Sequence, residues 1–248
     1  SNPISIKICT LWHGVTGLDL EKCGSERHQR QFKMHEWPKS NASNGRRQAL
    51  IPHPRRVNSV ERLARLIGDM RRLPDQVFVV ALDGRSGAGK STLASELAAL
   101  LGAGVIEGDD FYAGGTSLRS DSPDARAAAC IDWRHLSLIL KMLRAGHDVE
   151  WRAFDWDAFD GRLCGSPASM TPRPYLILEG VYAARPEFSD LIDVRVMIDV
   201  QPDIRTARLL AREGTIGDWE RQWHDAEDTY FRDVMPAERF DLIYSDDL

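Results

Sequence analysis

The 248-residue chain has no apolar run approaching the ~20 residues that span a bilayer, so no membrane-crossing helix is expected. Near the N-terminus the only short apolar stretch is interrupted by Trp12, His13 and Gly14, which is not the layout of a secretory signal. The four cysteines (Cys9, Cys23, Cys130 and Cys164) lie far apart with no C-x-x-C spacing. They argue against a disulfide framework and for reduced thiols in a cytoplasm. Histidines are few, and the group near the N-terminus (His13, His28, His35, His53) matches no zinc-ligand spacing with the cysteines. Two short strings are also missing. Neither the D-x-x-G switch nor the N-K-x-D base reader of a GTPase occurs anywhere.

Charge is scarce in net terms, −5 in all, but it is unevenly placed. Residues 1–57 carry ten Lys/Arg against four Asp/Glu, and the remainder carries 22 against 33. The basic piece holds loop chemistry, Ser-Asn-Ala-Ser-Asn-Gly-Arg-Arg at 40–47 and Pro52-His53-Pro54, without sustained helical or strand periodicity. It reads as a poorly ordered basic extension, with the folded domain at 58–248. Without an aromatic-basic repeat, nucleic acid is not the expected partner of that extension.

What is present is a complete G-x-x-x-x-G-K-[ST] string: Gly84, Arg85, Ser86, Gly87, Ala88, Gly89, Lys90, Ser91, followed by Thr92. The apolar run Val77–Leu82 precedes it, and a helical pattern from Thr92 to Leu101 follows. A strand, a glycine-rich turn and a helix N-terminus form a device for phosphate, because glycine lets consecutive N–H groups curl around the oxygens. Lys90 can reach the β- and γ-phosphates, and the Ser91 hydroxyl can hold Mg²⁺.

Further along, strands are expected at 105–107, 175–178, 194–200 and 240–244. Helices are expected at 60–72, 132–145, 204–212 and 218–234, with a mobile excursion over 113–130. Alternating strands and helices predict a parallel α/β sheet with ligands at the carboxyl ends of the strands. The second strand delivers Asp109-Asp110-Phe111-Tyr112 to that end, and the third ends in Glu179. A carboxylate beside the phosphate loop can take the proton of an acceptor hydroxyl. Asp109 is the favoured base and Asp110 the local alternative. Glu179 needs a partner: Mg²⁺ shared with Ser91, or a structural bond to the loop backbone. Arg205, Arg208 and Arg212 share one helical face and can clamp a transferring phosphoryl group. The stripe Trp219, Trp223, Ala226 and Tyr230 reads as packing.

In Asp83 to Thr92, Asp109 to Tyr112, Asp132-Trp133, Leu178 to Val181 and the three arginines, the chain resembles the uridine kinase and phosphoribulokinase group over about residues 75–245. The resemblance is nearest to bacterial uridine kinase-like proteins. It implies an α/β P-loop NTPase fold of the nucleoside/nucleotide-kinase type, with a five-stranded parallel sheet flanked by helices and an arginine-bearing lid. It also implies a small-molecule kinase using ATP and Mg²⁺, with Asp109 as the base. Where the family carries Tyr-Asp-Phe followed by His and Arg, this chain has Phe154-Asp155-Trp156, no His, and Arg162 near the Arg position. The implied acceptor contacts are therefore Asp155 for hydroxyls, Arg152 or Arg162 for a polar edge and Trp156 for a ring, beside Asp110 and Tyr112. Uridine or cytidine is the first candidate acceptor. Another alcohol, pantothenate- or sugar-like, and a nucleotide-binding regulatory role are the alternatives, and homo-oligomerisation stays open.

Overall fold

A computed structural model describes residues 54–245 except 72 and 74. The basic extension up to residue 53, with its histidines and Cys9 and Cys23, lies outside the described residues. Among the described residues no helix is long and apolar enough to cross a membrane.

The strands are β1 (Arg55–Val57), β2 (Phe78–Asp83), β3 (Gly104–Glu107), β4 (Val149–Trp151), β5 (Ala168–Met170), β6 (Tyr175–Glu179), β7 (Val194–Ile198) and β8 (Leu242–Tyr244). The helices are α1 (Val60–Met70), α2 (Lys90–Leu101), α3 (Pro123–Ala129), α4 (Trp133–Arg144), α5 (Pro202–Glu213) and α6 (Asp218–Thr229). Six strands form one parallel sheet in the order β1-β8-β7-β2-β6-β3, while β4 and β5 make a separate antiparallel pair. The sheet thus has six strands where five were expected. The sixth, β1, is three residues long and only Val57 is buried, so it offered no periodicity to read.

The alternation of strand side chains builds the two halves of the core. Val80 and Leu82 of β2 face one side with Leu63 and Ile67 of α1 and Leu93 and Leu97 of α2. Val79 and Ala81 face the other with Leu136, Leu140 and Leu143 of α4, Trp223 and Ala226 of α6, and Tyr230 just beyond it. Each fully buried leucine contributes roughly 1.5–3 kcal/mol, so these stripes set which face of each helix turns inward. Side-chain caps fix two helix starts. Ser59 Oγ accepts the Arg62 N–H at 3.2 Å, and Asp132 accepts the His135 N–H at 3.1 Å.

Two further departures from expectation bear on the site. The 113–130 excursion contains α3, packed against α6. Arg126 there is buried and donates to the Asp121 carbonyl at 2.6 Å. The helix expected over 218–234 is α-helical only to Thr229, then continues as a π turn over Tyr230–Val234.

Candidate active site

β2 lies at the centre of the sheet, and the chain leaves it at Asp83 to form the phosphate loop. Gly87 and Gly89 take φ values of +78° and +88°, which side chains avoid, and α2 starts immediately after at Lys90. A Cβ on Gly84 would stand 2.8 Å from the Ile198 carbonyl, and one on Gly87 2.7 Å from the Arg205 carbonyl. Both glycines are therefore required by close backbone approach. The loop is a cradle of backbone N–H groups at a helix N-terminus, which suits the phosphates of a nucleotide. Lys90 Nζ donates to the Arg85 carbonyl at 3.3 Å across the loop.

Asp83 anchors the loop from beneath. Its fully buried carboxylate accepts the N–H groups of Gly84 (2.8 Å), Tyr182 (3.0 Å) and Ala184 (3.0 Å) and the Tyr230 hydroxyl (2.7 Å). Burial pushes its carboxyl up to about 6 against these donors, which favour the charged form. Tyr182, at φ +73°, is held in a left-handed conformation by that bond network. In the sequence Asp83 is only the residue that precedes the loop. A lone aspartate at a strand end gives no sign that four donors from three segments converge on it.

Carboxylates gather at the ends of β3 and β6, where Glu107 and Glu179 are paired in register. Glu179 accepts the Ser91 hydroxyl at 3.0 Å. Burial pushes its carboxyl up to about 7, with Lys90 opposing and Asp109 and Glu107 adding to the rise. Glu107 is raised as well, by burial and then by Asp110 and Asp109. Like charges crowded in this way fit a divalent cation. No group of three or more His, Cys, Asp or Glu among the described residues could hold a metal. Ser91 and Glu179 are the residues that could hold Mg²⁺, together with phosphate oxygens and water.

Asp109 and Asp110 occupy a short 3-10 turn, Gly108–Phe111, and part company there. The Asp110 carboxylate accepts Trp151 Nε1–H at 2.7 Å, and its backbone carbonyl accepts the Phe154 N–H at 2.8 Å. Asp109 stands open to solvent in the cleft while ringed by protein. Desolvation raises its carboxyl, and Lys90 and Arg212 act against the rise.

Of the three arginines on α5, Arg205 donates to the Ser86 carbonyl at 3.3 Å and Arg208 to the Ala88 carbonyl at 3.4 Å. Arg212 pairs with Glu213 at 2.5 Å while acting electrostatically on Asp109. The helix therefore lies directly over the phosphate loop. Arg85, by contrast, turns away from the cradle. Its guanidinium meets Asp228 at 2.7 Å and lies 4.8 Å over the Phe231 ring.

The expected acceptor residues divide into two groups. Trp156 donates to the Asp109 carbonyl at 3.3 Å, and its ring lies 4.8 Å from Tyr112. Phe154, Phe159, Trp219 and Trp223 complete an aromatic wall around these two. Trp219 and Trp223, read as packing alone, join this wall from a distant helix. Only the chain fold could bring them to Tyr112. Arg152, Asp155 and Arg162 are instead used by their own loop. Arg152 donates to the Cys164 (3.2 Å) and Gly165 (2.5 Å) carbonyls, Asp155 caps the Ala158 N–H at 2.9 Å, and Arg162 pairs with Asp160.

This geometry matches known proteins at the level of family and fold. The family model for the phosphoribulokinase / uridine kinase family matches residues 79–237. The structure of a possible uridine kinase from Bacillus stearothermophilus is similar at 20% identity and TM-score 0.57, covering 75% of this chain and 96% of that one. A D-glycerate 3-kinase from Cryptococcus neoformans var. grubii is similar at 14% identity and TM-score 0.52, covering 75% and 95%. No curated protein sequence matches the chain significantly. With the loop, the parallel sheet and the family match over most of the domain, the chain belongs to the phosphoribulokinase / uridine kinase family of P-loop kinases.

Proposed function

We propose that this protein transfers the γ-phosphate of ATP, with Mg²⁺, to a hydroxyl of a neutral, ring-bearing small molecule, a uridine- or cytidine-type nucleoside being the first candidate. The observation that carries this reading is Asp109. It is a solvent-accessible carboxylate within electrostatic reach of the phosphate-loop lysine, and its backbone carbonyl accepts the Trp156 N–H of the aromatic wall. The Asp110 carboxylate is already engaged by Trp151, which favours Asp109 as the base.

In this reading the acceptor hydroxyl gives its proton to the Asp109 carboxylate as its oxygen bonds to the γ-phosphorus. The bond from that phosphorus to the bridging oxygen breaks, and ADP leaves. Lys90, Arg205 and Arg208 balance charge on the transferring group. Mg²⁺, held by Ser91 and Glu179, would supply charge neutralisation on the phosphates. The half-buried Trp156 indole, backed by the buried Tyr112, offers an apolar surface for a ring. Arg152 and Arg162 are tied within their loop, which favours a neutral acceptor over an anionic one.

ATP turnover measured against a panel of nucleosides and small alcohols, with products identified by mass, tests the assignment. Asp109→Asn should keep ATP binding and lose roughly 10²–10⁴ in kcat. Normal transfer by Asp109→Asn would remove it as the base. No acceptor-dependent turnover across the panel would overturn the nucleoside reading.

A further inference from the structure

The chemistry above uses the face of the phosphate loop that looks into the cleft. Its opposite face is gripped by α6. Glu227 is 4% exposed, and its carboxylate accepts both the Ser86 N–H (2.9 Å) and the Ser86 hydroxyl (2.5 Å). The next residue, Asp228, takes the Arg85 guanidinium at 2.7 Å. The π turn that follows α6 carries Tyr230, whose hydroxyl reaches Asp83 at 2.7 Å. One helix and its π turn therefore hold residues 83, 85 and 86 on both sides of Gly84. Such π turns are rare and frequent at functional sites. Glu227 also acts electrostatically on Arg205, which donates to the Ser86 carbonyl at 3.3 Å.

We propose that Glu227 is a positioning residue for the donor site: by holding Ser86 from behind, it keeps the glycine-rich loop in its phosphate-binding curve before nucleotide arrives. The physical reason is preorganisation. Gly84, Gly87 and Gly89 leave the loop free to take many conformations, and ordering it on binding would subtract from affinity. Two bonds from one buried carboxylate, to a backbone N–H and to the side chain of the same residue, remove that freedom without touching the nucleotide. The inference rests on the loop holding the donor nucleotide and needs no assumption about the acceptor.

The test is the affinity of the purified full chain for Mg²⁺-ADP, by calorimetry, alongside the melting temperature of each variant without ligand. Lys90→Ala is the reference that must weaken binding if the loop holds the nucleotide. Glu227→Ala should weaken it about tenfold or more, since two bonds to a charged acceptor are lost. Glu227→Gln keeps an oxygen for the Ser86 N–H and should fall between. Ser86→Ala should cost severalfold alone and little more when added to Glu227→Ala, because both remove the same bond. If Glu227→Ala does not fold, Glu227→Gln and Ser86→Ala carry the test. Unchanged affinity in those two, with Lys90→Ala weakened, would overturn the role of Glu227 alone. A lowered melting temperature with unchanged affinity would overturn it equally, as a purely structural role. An unaffected Lys90→Ala would overturn the donor-site reading and this inference together.

Discussion

On the donor side, residues 84–91 offer backbone N–H groups, and nearly every neighbour holds that backbone in place: Asp83 from beneath, α5 from above and α6 from behind. On the acceptor side, residues 152–163 offer side chains. Arg152, Asp155 and Arg162 bond within their own loop, and the aromatic ones meet Tyr112 and partners from α6. A phosphate chain is the same in every nucleotide, so a fixed main-chain cradle can bind it. Acceptors differ, and side chains on a loop can change without disturbing the sheet. A D-glycerate kinase and a possible uridine kinase can share this fold for that reason.

If the donor side is rigid because its bonds converge on buried carboxylates, removing one donor should be felt in the stability of the whole domain. Tyr230→Phe deletes the hydroxyl bonded to Asp83 and should cost about 1.5–3 kcal/mol near pH 8, the range for a hydrogen bond to a charged group. Burial sets the Asp83 carboxyl at about 6 in the fold, against 3.8 for the ordinary group. The fold therefore holds this proton more tightly than the unfolded chain does. Through this group stability falls as pH rises from about 4 to about 6. Tyr230→Phe takes away a bond that favours the charged form, so its fall should be steeper. Its deficit should shrink as pH drops through about 6. Urea unfolding of both proteins at pH 5 and 8 measures this, and a deficit independent of pH would mean the hydroxyl does not act through Asp83.

Legibility followed the same division. The loop, its strand and its helix could be read from the sequence because one contiguous string carries strand, turn and cap chemistry together. Asp109, Glu179 and the α5 arginines could be placed because strand ends and helical spacing put them near that string. Glu227 and Asp83 escaped, since a carboxylate that binds backbone N–H groups from a distant segment looks like any other acidic residue. Arg152, Asp155 and Arg162 are acceptor contacts only by the family resemblance. They are satisfied within the 152–165 loop, where an Asx turn and an exposed ion pair use them. β1 escaped because two exposed arginines and one valine have no period.

The metal side offers a sharper probe of the donor half. Burial, with Asp109 and Glu107 nearby, pushes the Glu179 carboxyl up to about 7. A protonated carboxyl does not hold Mg²⁺, so cation affinity should be full above about 7 and fall as pH drops below it, approaching tenfold per unit. Mg²⁺ titrations of ATP turnover at pH 6, 7 and 8 measure this dependence. Glu179→Gln should flatten it, and a flat profile in the unaltered protein would separate Glu179 from the metal.

The smallest expected effect falls on the acceptor side and tests the contrast most directly. Arg162 lies near the position at which the family resemblance implies a substrate-binding arginine, yet its guanidinium is 65% exposed and paired with Asp160 two residues away. An exposed pair of this kind is worth little, and the side chain would have to leave it to meet a ligand. Arg162→Ala should therefore change the KM for a turned-over acceptor by no more than about fivefold. Trp156→Ala, which removes the indole bonded to the Asp109 carbonyl, should raise it about tenfold if the acceptor carries a ring. The ordering matters more than either value. If Arg162→Ala were the costlier change, the loop would have to rearrange on binding, and the acceptor site would be made by the ligand rather than waiting for it.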